Sequence, residues 1–179
     1  MNLKDFRKDI GFTVRKNSSL ENVGYMVRHN YRFDYDVYLP TKKMNLQRGL
    51  VWCLDQKREL ILSILKGIKL SNISIIIHRN DLNNYDDIVY NVIDGKQRLT
   101  TIFSFYNNEF TLLHNGAEYY YKDLSPDVQY VIESFVFIAD IAYEYPNKLI
   151  SDDNKIAWFE MINFTGTPQD KYHLDKLKL

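Results

Sequence analysis

The sequence contains only one cysteine, Cys53, among its 179 residues, and this excludes an internal disulfide as a source of stability. Its four histidines are scattered, so the sequence shows no cluster of Cys and His ligands for a metal ion. No apolar run approaches the roughly 18 to 20 residues that a membrane-spanning helix needs. The first residues mix acidic and basic side chains without an apolar segment, so we see no signal peptide and expect a cytoplasmic location.

The composition is that of an ordinary globular protein, with 45% hydrophobic and 26% charged residues. A chain of this length can bury an adequate core, so we predict a single domain over residues 1–179. The net charge is zero, but residues 1–100 carry 17 Lys and Arg against 11 Asp and Glu, whereas residues 101–179 carry 6 against 12. The basic half suits anionic partners such as phosphates, and the alternative is a chance division between solvated faces.

Local patterns predict helices and strands that are interspersed along the chain. Ser18 and Glu21 have the spacing of a capping box, which predicts a helix to about Asn30 and a helical extension over residues 1–34. Further helices are predicted after Asp55, Gly95 and Ser125, and over Asp152–Asn163. Strands are predicted at Tyr35–Leu39, Ile73–His78, Asp87–Ile93 and Phe135–Tyr143, with a hairpin around Asn115-Gly116. The fold class that follows is α+β.

The segment Asp94-Gly95-Lys96-Gln97-Arg98 lies at a predicted strand-to-helix junction. The first amides of a helix have no intrahelical partners and attract anions, a glycine lets a phosphate approach the backbone, and Arg98 can bind phosphate oxygens through two nitrogens. Asp94 can hold a metal ion on the phosphates or orient a nucleophile. The structural alternative is that Asp94 caps the helix and Gln97 completes a capping box.

A second candidate element is Gln47-Arg48, which follows a strand and a proline and precedes Val51 and Trp52. If Val51 and Trp52 are buried anchors, the loop presents the Arg48 guanidinium with little entropy left to lose. The alternative is a surface arginine that packs over Trp52.

A third candidate is the turn from Asn163 to Pro168, in which Thr165 and Thr167 flank Gly166. Two hydroxyl groups beside a glycine can bind a phosphate or a sugar. The alternative is an ordinary end of a helix.

These three motifs, in this order and at this spacing, resemble the N-terminal DGQQR domain of GmrSD-type, modification-dependent restriction proteins. The resemblance runs from about Tyr38 to His173 and includes four matched segments: Gln47–Trp52, Leu60–Gly67, Val92–Thr101 and Ile162–Thr167. That family is placed in the ParB/sulfiredoxin-like superfamily, whose phosphate motif Gly-x-x-Arg is matched by Gly95 and Arg98. The resemblance implies a compact domain with a small mixed sheet surrounded by helices.

The resemblance also implies binding of a nucleoside triphosphate (ATP, GTP or CTP) with Mg²⁺, often its hydrolysis, coupled to recognition of modified DNA in conflict between phage and host. Asp94 is then the Mg²⁺ ligand or the residue that orients the attacking group, Gln47 positions that group, and Arg48 completes the phosphate clamp. The nucleotide-binding residues that the resemblance implies are Gly95, Lys96, Gln97, Arg98, Thr165, Gly166 and Thr167.

The sequence departs from the family pattern at two points, and both bear on which functions we expect. The second residue of the phosphate motif is usually glutamine and here is Lys96, an added cation that suits a triphosphate or points to solvent. The HNH-like nuclease domain that usually follows is not visible, so we do not expect DNA cleavage by this chain alone.

Three functions therefore stay open at this point. The leading one is a nucleoside triphosphatase linked to modified DNA. The others are a kinase that phosphorylates a hydroxyl of a DNA base or small molecule, and a non-catalytic protein that either senses nucleotide or DNA or binds a defence protein. A homodimer or a separate effector protein is a further expected partner.

Overall fold

The computed structural model describes residues 10–79, 81 and 87–163. The strands in this part of the chain are β1 (Arg15–Asn22), β2 (Phe33–Asp34), β3 (Tyr38–Leu39), β4 (Met44–Asn45), β5 (Ile73–Arg79), β6 (Ile88–Asp94), β7 (Leu112–His114), β8 (Ala117–Tyr119) and β9 (Val136–Glu144). The helices are α1 (Val23–Arg28), α2 (Leu54–Leu65), α3 (Lys96–Tyr106), α4 (Pro126–Ser134) and α5 (Asp152–Asn163). None of the helices among these residues is long and apolar enough to cross a membrane.

Five strands form one mixed sheet in the order β1-β9-β5-β6-β2. β9 runs antiparallel to β1 and parallel to β5, while β6 runs antiparallel to β5 and parallel to β2. The other strands form two small antiparallel pairs, β3-β4 and β7-β8. The predicted α+β fold with a small mixed sheet is confirmed.

The sheet is covered by apolar clusters on both faces. On one face Ile75 and Val92 pack with buried residues of α1, α2, α3 and α4. On the other face Ile76 and Ile93 pack with α5 and with Leu46 of the segment that follows β4. Because side chains alternate along a strand, burial on both faces explains why β5 reads as an uninterrupted β-branched run.

The predicted helical extension over residues 1–34 is wrong for residues 15–22, which form the edge strand β1. Its residues pair antiparallel with β9, with Ser18 opposite Ala139. The helix begins only at Val23, and its N-cap is Asn22, whose side chain accepts a hydrogen bond of 2.8 Å from the Tyr25 amide. The Ser18 capping box is therefore not formed, because pairing with β9 outweighs the local preference of a polar segment.

The strand predicted at Tyr35–Leu39 is interrupted. The Asp34 side chain accepts hydrogen bonds of 3.0 Å from the amides of Asp36 and Val37, and Val37 has a φ of 52°. This side-chain turn ends β2 at Asp34 and lets β3 begin at Tyr38.

The remaining local signals correspond closely to the elements observed. Asn115 and Gly116 both have positive φ, 50° and 78°, as the two-residue turn of the β7-β8 hairpin requires. Pro126 begins α4, and α5 spans Asp152–Asn163 as predicted.

Candidate functional site

Asp94 is the last residue of β6, and a β-bulge sets its direction. Ser74 lies opposite Asp94, whereas the next pair in the ladder joins Ile75 to Val92, so Ile93 is an extra residue in β6. A bulge breaks the alternation of side chains and re-aims the residue that follows it. Without the extra residue, Asp94 would not lie opposite Ser74.

A second aspartate lies in register with Ser74 and Asp94, on the strand at the other side of β5. Ser74 lies beside Asp140 of β9, and all three side chains line one open cavity of about 760 Å³. Asp140 accepts hydrogen bonds from Lys16 Nζ at 2.7 Å and from the Asn17 amide at 3.1 Å. No motif in the sequence pointed to Asp140, because it becomes visible only when β5, β6 and β9 are in register.

Burial by itself would raise the pKa of the Asp140 carboxyl. The hydrogen bonds and charge of Lys16, with the bonds from Asn17 and Asn72, outweigh this effect and hold the pKa below its ordinary value. Asp140 is therefore an anion at neutral pH.

We expect Asp140→Asn to make the free energy of unfolding depend less steeply on pH under acid conditions. Because the folded-state pKa of Asp140 lies below 3.8, this carboxylate contributes stability above that pH and loses it as the pH falls through the folded-state pKa. Below about pH 4, the free energy of unfolding should therefore fall more steeply in the wild type than in the variant. Urea unfolding from neutral to acid pH measures both slopes, and equal slopes would contradict the assignment.

Gly95, and not Asp94, is the N-cap of α3. Its φ is 109°, and a Cβ built on it would lie 2.5 Å from Ile73 Cγ2, so this position is restricted to glycine. The capping alternative for Asp94 is wrong, because no side-chain cap bond is formed there and Gln97 binds elsewhere.

Arg98 lies beside the cavity but is held by the protein. Its Nη2 donates to Asp94 Oδ2 at 2.7 Å and to the Asn72 carbonyl at 3.1 Å, and its Nη1 donates to the carbonyl and hydroxyl oxygens of Ser71. The Arg98 side chain is 12% exposed. Arg98 therefore lines the cavity while its guanidinium is held in an internal ion pair.

The Lys96 ammonium group is neither exposed to solvent nor unpaired. Its side chain is 9% exposed and its Nζ forms an ion pair with Asp36. The added cation of the phosphate motif is thus neutralised by a residue 60 positions earlier in the chain.

Two glutamines join the motifs to each other. The buried Gln47 donates its side-chain amide to the carbonyls of Val92, at 3.0 Å, and Ile93. Gln97 donates to the Gly49 carbonyl at 3.0 Å and accepts from the Val51 amide at 3.2 Å. The loop that carries Arg48 is therefore fixed to the end of β6 and to the first turn of α3.

Arg48 is half-buried, and within the described part of the chain it forms no hydrogen bond or ion pair. Of its two predicted anchors, Trp52 packs against the core, but Val51 is 57% exposed. The hydrogen bonds that the loop forms with Gln97, and not burial of Val51, hold this loop in place.

The residues of both motifs line one small cavity of about 160 Å³: Gln47, Arg48, Trp52, Asp94, Gly95, Lys96, Gln97 and Arg98. The small cavity adjoins the larger one, since Trp52, Asp94 and Arg98 line both. Thr165, Gly166 and Thr167 lie outside the described residues. The structure thus brings together two of the three motifs that the sequence singled out.

The comparisons with known proteins identify the family of the chain. A family model described as "GmrSD restriction endonuclease, N-terminal domain" matches residues 35–178, a range that contains both motifs of the small cavity. No curated protein and no solved structure matches the chain. The family match covers most of the sequence, and the chain therefore belongs to the family of N-terminal domains of GmrSD restriction endonucleases.

Proposed function

We propose that the protein binds a nucleoside triphosphate with Mg²⁺ at the small cavity and hydrolyses it, within a restriction system that acts on modified DNA. The observation that carries this proposal is the small cavity itself, whose lining consists of the Gln-Arg motif and the Asp-Gly-Lys-Gln-Arg motif. The small cavity, of about 160 Å³, is large enough to admit a phosphate group.

Arg48 and the N-terminus of α3 supply the positive potential for the phosphates. Lys96 and Arg98 are engaged in ion pairs, so Arg48 is the guanidinium at this cavity that a ligand can neutralise. The backbone amides of the first turn of α3 have no intrahelical acceptors, and Gly95, Lys96 and Gln97 at that turn line the cavity. A planar guanidinium and a helix N-terminus together suit a phosphate that is bound through several oxygens.

Asp94 fits the role of the Mg²⁺ ligand. Its Oδ2 accepts from Arg98, which leaves Oδ1 as a ligand atom, and its side chain is 29% exposed at the junction of the two cavities. Among the described residues no group of three or more metal-binding side chains is found. A single carboxylate is sufficient for Mg²⁺ when phosphates and water complete the coordination, and the ion then neutralises charge on the β- and γ-phosphates.

Gln47 is placed to orient the attacking water. Its Nε2 is engaged with the carbonyls of β6, and its Oε1 accepts no hydrogen bond within the described residues. In hydrolysis the bond between the γ-phosphorus and the bridging oxygen breaks, the water oxygen bonds to the γ-phosphorus, and the proton of the water leaves with inorganic phosphate. Fixing the amide on one side restricts Gln47 to a single orientation, which favours a positioning role.

The larger cavity favours a kinase as a second candidate. Its volume of about 760 Å³ is within the range of small-molecule sites, and it opens onto Asp94 and Arg98. A hydroxyl group bound there would receive the γ-phosphoryl group in place of water.

Thermal unfolding with ATP, GTP and CTP in the presence of Mg²⁺ tests binding. A ligand at 100 times its dissociation constant adds about 2.7 kcal/mol to the stability of the protein, which is a shift of several degrees. Arg48→Ala should abolish the shift, and Arg15→Ala, which removes an exposed arginine from β1, should leave it unchanged. If none of the three nucleotides stabilises the wild type, the proposal fails.

Incubation with γ-labelled nucleotide, Mg²⁺ and DNA identifies the reaction. Release of labelled phosphate is expected for the triphosphatase, and label on DNA or on an added hydroxy compound would favour the kinase. Binding without transfer of label would overturn both and leave a sensor.

A further inference from the structure

A third cavity, of about 170 Å³, lies between α1 and the opposite end of the central sheet. All five strands of the sheet contribute to its lining, and α1 forms its wall. Five of its lining residues carry aromatic rings: Tyr25 of α1, His29 at the C-cap of α1, Phe33 of β2, Tyr90 of β6 and Tyr143 of β9. None of them belongs to the motifs that line the small cavity.

The aromatic rings of this cavity are ordered but only half-buried. Tyr25 and His29 stack with their ring centroids 4.0 Å apart, and Phe33 and Tyr90 stack at 4.9 Å. Stacked neighbours fix the ring planes, while half-burial leaves ring surface open to the cavity. A set of fixed, accessible ring faces is suited to binding another flat ring.

Polar groups lie at the edges of the same cavity. His29 Nδ1 lies 2.9 Å from the Tyr25 carbonyl, which can only accept, so Nδ1 carries the proton and Nε2 is the acceptor of the neutral ring. Burial, followed by the charges of Tyr25 and Glu21, raises the pKa of Tyr90, so its hydroxyl remains a donor at neutral pH. The exposed Glu21 carboxylate is a second acceptor.

We propose that this cavity binds a single planar nucleobase of pyrimidine size. A cavity of about 150 Å³ holds a benzene ring, so 170 Å³ admits one six-membered ring. The base would come from a DNA strand, out of which it is turned into the cavity. This proposal therefore rests on the proposed function, in which the protein belongs to a system that acts on modified DNA. A free nucleoside would offer the same ring.

The surroundings of the cavity suit a nucleic-acid strand. Arg32 and Arg79 are close enough to act electrostatically on the Tyr90 hydroxyl. Tyr31 is 78% exposed beside His29, and the Arg32 guanidinium lies 5.6 Å from the centre of its ring. The exposed Tyr31 ring can stack a base, and the arginines near the cavity add positive potential that attracts phosphates, although Arg32 itself is buried.

The base cavity and the small cavity can be occupied at the same time. Tyr90 and Asp94 are four residues apart on β6, a separation of about 13 Å along the strand. Tyr143 and Asp140 are three residues apart on β9, a separation of about 10 Å along the strand. β6 thus contributes Asp94 to the small cavity and Tyr90 to the proposed base site.

The test uses a fluorescein-labelled DNA duplex with one mismatched pyrimidine, and the same duplex fully paired. A mismatched base is extruded at lower energetic cost, so the wild type should bind the mismatched duplex more tightly. Tyr90→Leu and His29→Ala should each weaken that binding about tenfold, the effect of losing one stacked base. Tyr90→Phe keeps the ring and should bind nearly as the wild type does.

The matched control is Tyr130→Leu, which removes an exposed ring on α4 outside the cavity and should leave binding unchanged. Competition with free thymidine and deoxycytidine identifies the source of the ring: displacement by the nucleosides at the affinity of the duplex assigns the cavity to free nucleosides. Suppose that Tyr90→Leu and His29→Ala fold normally by circular dichroism and bind the mismatched duplex and the free nucleosides as the wild type does. The cavity then does not bind a base. The same conclusion follows if the wild type binds neither the duplex nor the nucleosides. Phosphate release is measured separately, so a loss of the proposed triphosphatase function would not be mistaken for a loss of this site.

Discussion

Gly95→Ala is expected to destabilise the fold by about 2 to 5 kcal/mol. The alanine would have to adopt a φ of 109°, which L-residues rarely adopt, and its Cβ would lie 2.5 Å from Ile73 Cγ2 and 2.8 Å from Ile73 Cβ. Ile73 is fully buried in β5 and cannot move away without disturbing the core. Urea unfolding gives the free energy directly.

Two other glycines separate the causes of this effect. Gly116 has a φ of 78° but nothing within 4 Å of an added Cβ, so Gly116→Ala should cost only the backbone strain of about 1 kcal/mol. Gly49 has open space and no positive φ, so Gly49→Ala should be nearly neutral. If Gly95→Ala costs no more than Gly116→Ala, the close packing on Ile73 has no energetic consequence.

A double variant tests the contact itself. Ile73→Ala removes Cγ2, the nearer of the two Ile73 atoms that the new Cβ would meet at 2.5 and 2.8 Å, and keeps the other, Cβ. The loss caused by Gly95→Ala should therefore be smaller in the Ile73→Ala background than in the wild type, while the strain at φ remains.

Elements with strong local signals could be predicted from the sequence. The β7-β8 turn needs two residues of positive φ, and Asn115-Gly116 is the pair most suited to it. Pro126 at the first position of α4 and the β-branched run of β5 are similar cases. β1 could not be predicted in this way, because its polar residues become a strand only through pairing with β9, more than 100 positions later.

The residues that line the small cavity could be singled out from the sequence, but their contacts could not. The motif that contains Asp94 and the motif that contains Gln47 do line one cavity. The partners that alter their roles lie far away in the sequence: Asp36 neutralises Lys96, and Ser71 binds Arg98. Such pairs depend on tertiary packing, so a motif alone predicts where a charge lies and not whether it is free.

Asp94→Asn is expected to lower nucleotide turnover by about 100-fold or more. Asparagine is a poor ligand for Mg²⁺ and lacks the negative charge that the proposed site requires. Its amide oxygen can still accept the hydrogen bond from Arg98 Nη2, and the ion pair is partly exposed, so the free energy of unfolding should fall by only about 1 kcal/mol. Phosphate release and urea unfolding on the same purified variant give both quantities.

Glu118→Gln is the matched control, since it removes the charge from another carboxylate paired with an arginine, at 2.8 Å from Arg58 Nη2 on the β7-β8 hairpin. Turnover in this variant should equal that of the wild type, because Glu118 does not line the small cavity. A large loss of turnover in Asp94→Asn alone, with most of the stability retained, would assign Asp94 to the reaction. If turnover is unchanged, Asp94 serves only to hold Arg98 against Ser71 and Asn72, and the chemistry must be sought elsewhere along the cavity. The two results are distinguishable because the ion pair contributes to the folded state, whereas the ligand atom Oδ1 contributes only when nucleotide is bound.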